Sequence, residues 1–311
     1  MIIDVAKKIR KNIQKVIVGK DDVINLTLVA VLCEGHVLLE DVPGLGKTTL
    51  ARSLAISLGA SYKRIQFTPD LLPSDVTGLN WFNQKKQEFE FRPGPIMSNV
   101  VLADEINRAT PRTQSSLLEA MQERQLTVDG ETRNLPRPFL VLATQNPVEL
   151  EGTFPLPEAQ IDRFLLRVSI GYPTEEEETR ILDRFHSEDP LPSLEPVTGI
   201  EEILTMQEER KSVRVDDSLR DYIVQIARAT REHEEIDLGA SPRGSLSLYM
   251  ASQALAAIKG RDFIIPDDIK AMAPSVLTHR LMISPRAQLR GRKPESLVSD
   301  IVSSVPVPVE K

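Results

Sequence analysis

The chain has 311 residues, 41% hydrophobic and 27% charged, the make-up of a globular protein long enough for two sizeable cores. A net charge of −7 argues against a broadly basic surface wrapped by nucleic acid, and Arg290-Gly291-Arg292-Lys293, the one tight basic cluster, reads as a solvated turn. The lone Cys33 rules out an intrachain disulfide, no run approaches the ~20 apolar residues of a membrane span, and Lys7, Lys8 and Arg10 after Met1-Ile2-Ile3-Asp4 do not resemble a secretory signal, so a cytoplasmic protein is expected.

Residues 2–16 have helical spacing that Val16-Ile17-Val18-Gly19-Lys20 interrupts, and Asp21 is placed to cap a helix running through Cys33 to Gly35. Short apolar runs then alternate with helical stretches as far as about residue 170. The strand candidates are Val37–Leu39, Arg64–Phe67, Asn99–Ala103, Phe139–Thr144 and Phe164–Val168. Several are nearly continuous in apolar residues, as parallel strands covered on both faces should be.

Asp41-Val42-Pro43-Gly44-Leu45-Gly46-Lys47-Thr48 follows the first strand and precedes a helical stretch from Thr49. Strand, glycine loop and helix in this order aim backbone N–H groups and a positive helix end at one anion. Pro43, Gly44, Leu45, Gly46, Lys47, Thr48 and Thr49 form the expected phosphate cradle. Lys47 would reach the outer phosphates, and the Thr48 hydroxyl would meet magnesium. Asp41 stands where the general pattern has its first glycine.

The strand at Asn99–Ala103 delivers Asp104 and Glu105 at its C-terminal end, where ligands collect on a parallel sheet. Asp104 is placed to hold the metal, and Glu105 to activate water for in-line attack on a γ-phosphate. The next strand ends in Gln145-Asn146-Pro147, so Asn146 offers an amide that would orient that water.

Two hairpins interrupt the alternation. One turns around Asn83-Gln84-Lys85-Lys86 and carries Trp81-Phe82 and Phe89-Glu90-Phe91; the other turns at Asp129-Gly130. Either could be surface decoration or a contact element. After Tyr172-Pro173, Thr174 and Glu177 form a capping box for a helix that opens with four glutamates. Pro190, Pro192 and Pro196 mark a join, and helical periodicity recurs at 199–208, 216–233, 242–259 and 267–281. The expected fold is an α/β core with a parallel sheet flanked by helices over 1–188, then a small all-helical domain over 189–311 ending in an extended tail, Val305–Val309.

These motifs resemble the MoxR family of AAA+ ATPases, whose core is a P-loop NTPase fold followed by a helical lid. The resemblance rests on Leu39–Thr48, Ala103-Asp104-Glu105-Ile106-Asn107-Arg108-Ala109, Ala143–Pro147, Glu151–Phe164, Gly239-Ala240-Ser241-Pro242-Arg243-Gly244 and Pro266–Ile269. It implies a Mg-ATP hydrolase working as a ring, expected to be a hexamer, that remodels client proteins, often beside von Willebrand A domain partners. It makes Asn146 the first sensor, Arg163 an arginine finger reaching a neighbouring subunit, and Arg243 a second sensor at the start of a lid helix, with Arg108 a further trans-acting candidate. Read without the resemblance, Arg163 could equally pair with Asp162, and Arg243 could be a solvated helix residue. The family also implies an adenine cradle at Val18 and Gly19, where core packing is the other reading. A DNA-acting motor is the rival function, weakened by the acidic composition and few aromatics. A guanine-nucleotide switch is disfavoured because the chain has no Asn-Lys dipeptide.

Overall fold

The computed structural model describes residues 1–146, 152–186 and 189–308. Pro147, Glu151, Val309 and the expected domain boundary at 188 lie outside the described residues.

All five strand candidates form strands of a single parallel sheet. They are β1 (Val37–Glu40), β2 (Tyr62–Gln66), β3 (Val100–Asp104), β4 (Leu140–Gln145) and β5 (Leu166–Val168), in the spatial order β2-β3-β4-β1-β5. The central strands β1, β3 and β4 are buried along almost their whole length, which is why they read as unbroken apolar runs. β2 lies at the sheet edge, and Tyr-Lys-Arg-Ile-Gln buries only Ile65. Because the order reverses beside β1, the C-terminal ends of β1, β3 and β4 open into one crevice.

Helix Ile2–Ile13 buries Ile2, Val5, Ala6, Ile9 and Ile13 at helical spacing. The next helix, Asp21–Leu32, corrects one expectation: Lys20 is the N-cap residue, with φ of 59°, and Asp21 is already helical. The Asp21 carboxylate instead accepts from Gln14 Nε2 at 2.6 Å. Cys33 is buried, its Sγ donating to Met250 O at 3.3 Å, and desolvation pushes the thiol up to about 12. Both hairpins are present, Gly78–Asn83 with Glu88–Pro93 and Gln125–Val128 with Glu131–Asn134. They touch through Asn80 Nδ2 donating to Asp129 Oδ2 at 3.0 Å and Arg133 stacked over Phe91, and Trp81 and Phe89 are exposed.

The Thr174–Glu177 capping box opens helix Glu175–Phe185. The second half holds helices Ile200–Arg210, Asp217–Glu232, Pro242–Ile258 and Pro266–Leu277. The periodicity missed an antiparallel ribbon of Ile236–Leu238 with Met282–Ile283, a five-residue helix Pro285–Leu289 and a helix Pro294–Ser304. The turn before that helix is an ion-paired structure, with Arg292 Nε bonded to Glu235 Oε2 at 3.1 Å. One continuous apolar cluster runs from Ile9 and Leu28 through Leu54 and Leu142 to Ile226, Leu248, Ile269 and Leu297. The two halves therefore share a core. No helix among the described residues is long and apolar enough to cross a membrane.

Candidate active site

The phosphate loop joins β1 to helix Lys47–Ser57, whose N-cap is Gly46. Gly44 and Gly46 have φ of 87° and 83°, and a Cβ built on either meets nothing within 4 Å. The backbone conformation, not crowding within the chain, is what calls for glycine. Lys47 Nζ donates to Asp41 O at 2.7 Å, holding the ammonium across its own loop. Asp41 has a duty that local sequence does not reveal. Its carboxylate accepts from Ser169 Oγ at 2.8 Å, Ile170 N at 2.5 Å and Gly171 N at 3.2 Å, pinning the loop to the segment after β5.

At the end of β3, Asp104 and Glu105 are each held by more than one partner. Asp104 Oδ1 accepts from Thr144 Oγ1 at 2.6 Å, and Oδ2 accepts from Arg64 Nη2 at 2.6 Å and Nε at 3.0 Å. Glu105 Oε2 accepts from Gln66 Nε2 at 2.8 Å and lies 3.1 Å from Arg108 Nε. Arg108, a candidate for action on another subunit, is therefore ion-paired to Glu105 of its own chain. A cavity of about 410 Å³ gathers Pro43, Gly44, Gly46, Lys47, Thr48, Thr49, Arg64, Gln66, Asp104, Glu105, Thr144 and Asn146. Arg64, Gln66 and Thr144 were not anticipated. The usable signal was alternation: residues 64 and 66 share a face of β2, and an exposed Arg and Gln there face the same crevice as the acids.

Beside it lies an apolar cavity of about 260 Å³ lined by Val16, Ile17, Val18, Leu45, Leu50 and Ile170 together with Gly44, Gly46 and Thr49. Val16 and Val18 are core residues and cavity walls at once. Gly19 faces an adjoining polar cavity. It has φ of 67°, a conformation that favours glycine, and an added Cβ would lie 1.9 Å from Glu177 Oε1 and displace that side chain.

The structure does not bring Arg163 and Arg243 to these cavities. Both line a separate one of about 340 Å³, with Gly35, His36, Asp162, Leu165, Leu246 and Arg280 among its other walls. His36 precedes β1 and Leu165 precedes β5, and Leu165 N donates to His36 O at 2.8 Å. The arginines thus occupy the N-terminal edge of the parallel sheet, while the phosphate loop and the acid pair occupy its C-terminal edge. Arg243 lies in the first turn of helix Pro242–Ile258, its Nη1 3.9 Å from Asp162 Oδ2, which also accepts from Ser241 Oγ at 3.0 Å. Nearby His279 is held neutral by burial and by the Arg280 charge.

Residues 36–166 match the ATPase family associated with various cellular activities (AAA), and residues 228–301 match the AAA lid domain. The chain is 55% identical over 301 residues to the uncharacterized protein YeaC of Bacillus subtilis (strain 168), covering 97% of this chain and 94% of that one. It is 42% identical to Chaperone MoxR1 of Mycobacterium tuberculosis, over 95% of this chain and 80% of the relative. A crystal structure of a protein from Cytophaga hutchinsonii assigned as an ATPase aligns with a TM-score of 0.92 at 38% identity, covering 98% of this chain and 96% of that one. Sheet order, loop chemistry and full-length similarity converge, and the chain belongs to the MoxR family of AAA+ ATPases.

Proposed function

We propose that this protein hydrolyses ATP with magnesium and spends the cycle on remodelling partner proteins. The observation that carries the hydrolase reading is the single cleft where Gly44, Gly46, Lys47, Thr48, Asp104, Glu105 and Asn146 meet from separate segments. In this reading the loop N–H groups and the Lys47 ammonium bind phosphate oxygens, and the apolar cavity at Val16–Val18 takes the adenine. Asn146 orients a water, and Glu105 accepts its proton as the new O–P bond forms and the β–γ bridging bond breaks, leaving ADP and phosphate. The Thr48 hydroxyl and Asp104 carboxylate are hard oxygen donors suited to a magnesium ion that keeps its other positions for phosphate and water. Such an ion would supply charge neutralisation on the phosphates.

Arg163 and Arg243 sit on the opposite sheet edge, so they would serve the nucleotide of an adjoining copy. An always-charged planar fork there stabilises the charge that shifts during transfer. This favours a closed ring, which we take to be hexameric, working in the cytoplasm. Protein clients are inferred because one relative is named a chaperone, and von Willebrand A domain proteins are the partner class the family resemblance suggests. The sheet-bearing half 1–188 and the helical half 189–311 would move by shear rather than by free hinging, because one apolar cluster spans both.

The test is Glu105→Gln. It should bind ATP within a few-fold of the parent affinity while turnover falls on the order of 100-fold or more. Parent-like turnover would remove Glu105 from the chemistry and with it this reading of the cleft.

A further inference from the structure

Arg280 is a buried guanidinium at the meeting point of three segments, its side chain 1% exposed. Nε donates to Asp162 Oδ1 at 2.9 Å, Nη2 to Phe164 O at 2.6 Å and Ser247 Oγ at 3.1 Å, and Nη1 to Leu165 O at 3.3 Å and to Val276 O. Burial pulls its pKa down to about 10, opposed by the Asp162 charge and hydrogen bond, so it remains a cation at neutral pH.

The partners of Arg280 flank the two arginines of the separate cavity. Asp162 immediately precedes Arg163, and its other oxygen takes Ser241, the N-cap residue of the helix that carries Arg243. Gly244, in the same first turn, supplies an independent sign of close fit. A Cβ there would come within 3.2 Å of Arg280 Cδ and of Ala240 Cβ. Two like charges lining one cavity, one of them at a positive helix end, are not favoured by each other or by the dipole. Something must hold them in register.

We propose that Arg280 is a positioning residue: it clamps the Asp162–Leu165 turn to the first two turns of helix Pro242–Ile258, so that Arg163 and Arg243 are presented as one preset pair. This rests on the reading that both arginines act on a neighbouring copy's nucleotide. A lysine would keep the charge but lacks the fork that reaches Asp162, Phe164 and Ser247 together.

The test is Arg280→Lys in the full-length assembly, with spin labels at Glu158→Cys and Leu246→Cys, diluted into unlabelled protein. ATP affinity should stay within about two-fold of the parent, because the chain's own cleft is on the other sheet edge. The turnover number should fall roughly tenfold or more, and the label-to-label distance should broaden. Parent-like turnover with an unbroadened distance overturns the role of Arg280 and leaves the trans reading intact. Parent-like turnover in both Arg163→Ala and Arg243→Ala removes that reading itself. If Arg280→Lys does not fold, Gly244→Ala, which presses a methyl group against Arg280 Cδ and Ala240 Cβ, carries the same two readouts, and parent-like values there overturn the role.

Discussion

Thr144 Oγ1 donates to Asp104 Oδ1 at 2.6 Å and accepts from the Glu105 amide at 2.8 Å, so one buried hydroxyl fixes both acids of the cleft. Glu105 needs that support. Its φ of 55° lies in the left-handed region, which costs an L-residue about 1–2 kcal/mol.

Thr144→Val keeps the shape and removes both bonds. We expect a stability loss of about 1–3 kcal/mol by chemical denaturation, from the orphaned amide and carboxylate oxygen. Turnover should fall roughly tenfold while ATP affinity changes little, because the phosphate loop is untouched. A variant equal to the parent in both measurements would mean that Glu105 is held by Gln66 and Arg108 alone.

Asp41→Gly restores the general phosphate-loop pattern, yet it should weaken the protein. The change releases Ser169, Ile170 and Gly171 and leaves the Ile170 amide buried without its acceptor. The expected cost is about 1.5–3 kcal/mol in stability, with a several-fold loss of ATP affinity by nucleotide titration. Unchanged affinity would show that the loop holds its shape without the clamp.

The phosphate loop and the acid pair were legible because each is local: strand, glycines and helix in one run, and an apolar strand ending in two carboxylates. The central strands were legible for the same reason, since burial on both faces writes itself as apolar runs. Asp41, Thr144 and Arg280 were not, because Asp41 bonds residues 128 to 130 positions away, Thr144 residues 39 and 40 away, and Arg280 the Asp162–Leu165 turn 115 to 118 away, and sequence without contacts does not pair them. The ribbon Ile236–Leu238 with Met282–Ile283 is too short to show a period. Helix Pro294–Ser304 hid behind the basic turn that precedes it, although Leu297, Val298, Ile301 and Val302 form its buried stripe.

His36 makes stability depend on pH. Val141 N donates to His36 Nδ1 at 3.0 Å, so Nε2 carries the proton and donates to Met121 O at 3.1 Å. Burial lowers the imidazole pKa from 6.5 to about 4. The unfolded chain therefore binds the extra proton first between those values. The contribution is fully present above about 6.5 and is lost as pH falls toward 4. His279, also held neutral by burial, acts with the same sign. Denaturation midpoints taken across this range should fall with pH in the parent and fall less steeply in His36→Gln. Equal slopes would assign the acid sensitivity elsewhere.

With Lys47, Asp104 and Glu105 lining one sheet edge and Arg163 and Arg243 the other, each nucleotide site would be completed by a second subunit. Mixing two inactive variants measures this directly. Lys47→Ala should lose ATP binding, and Arg163→Ala should bind ATP without turning it over. In co-assembled mixtures a Lys47→Ala subunit can lend its Arg163 to an intact cleft, so a 1:1 mixture should recover roughly a quarter of the parent ATPase per subunit if neighbours are random. Turnover that stays at background, in mixtures proven to co-assemble, would contradict the shared site.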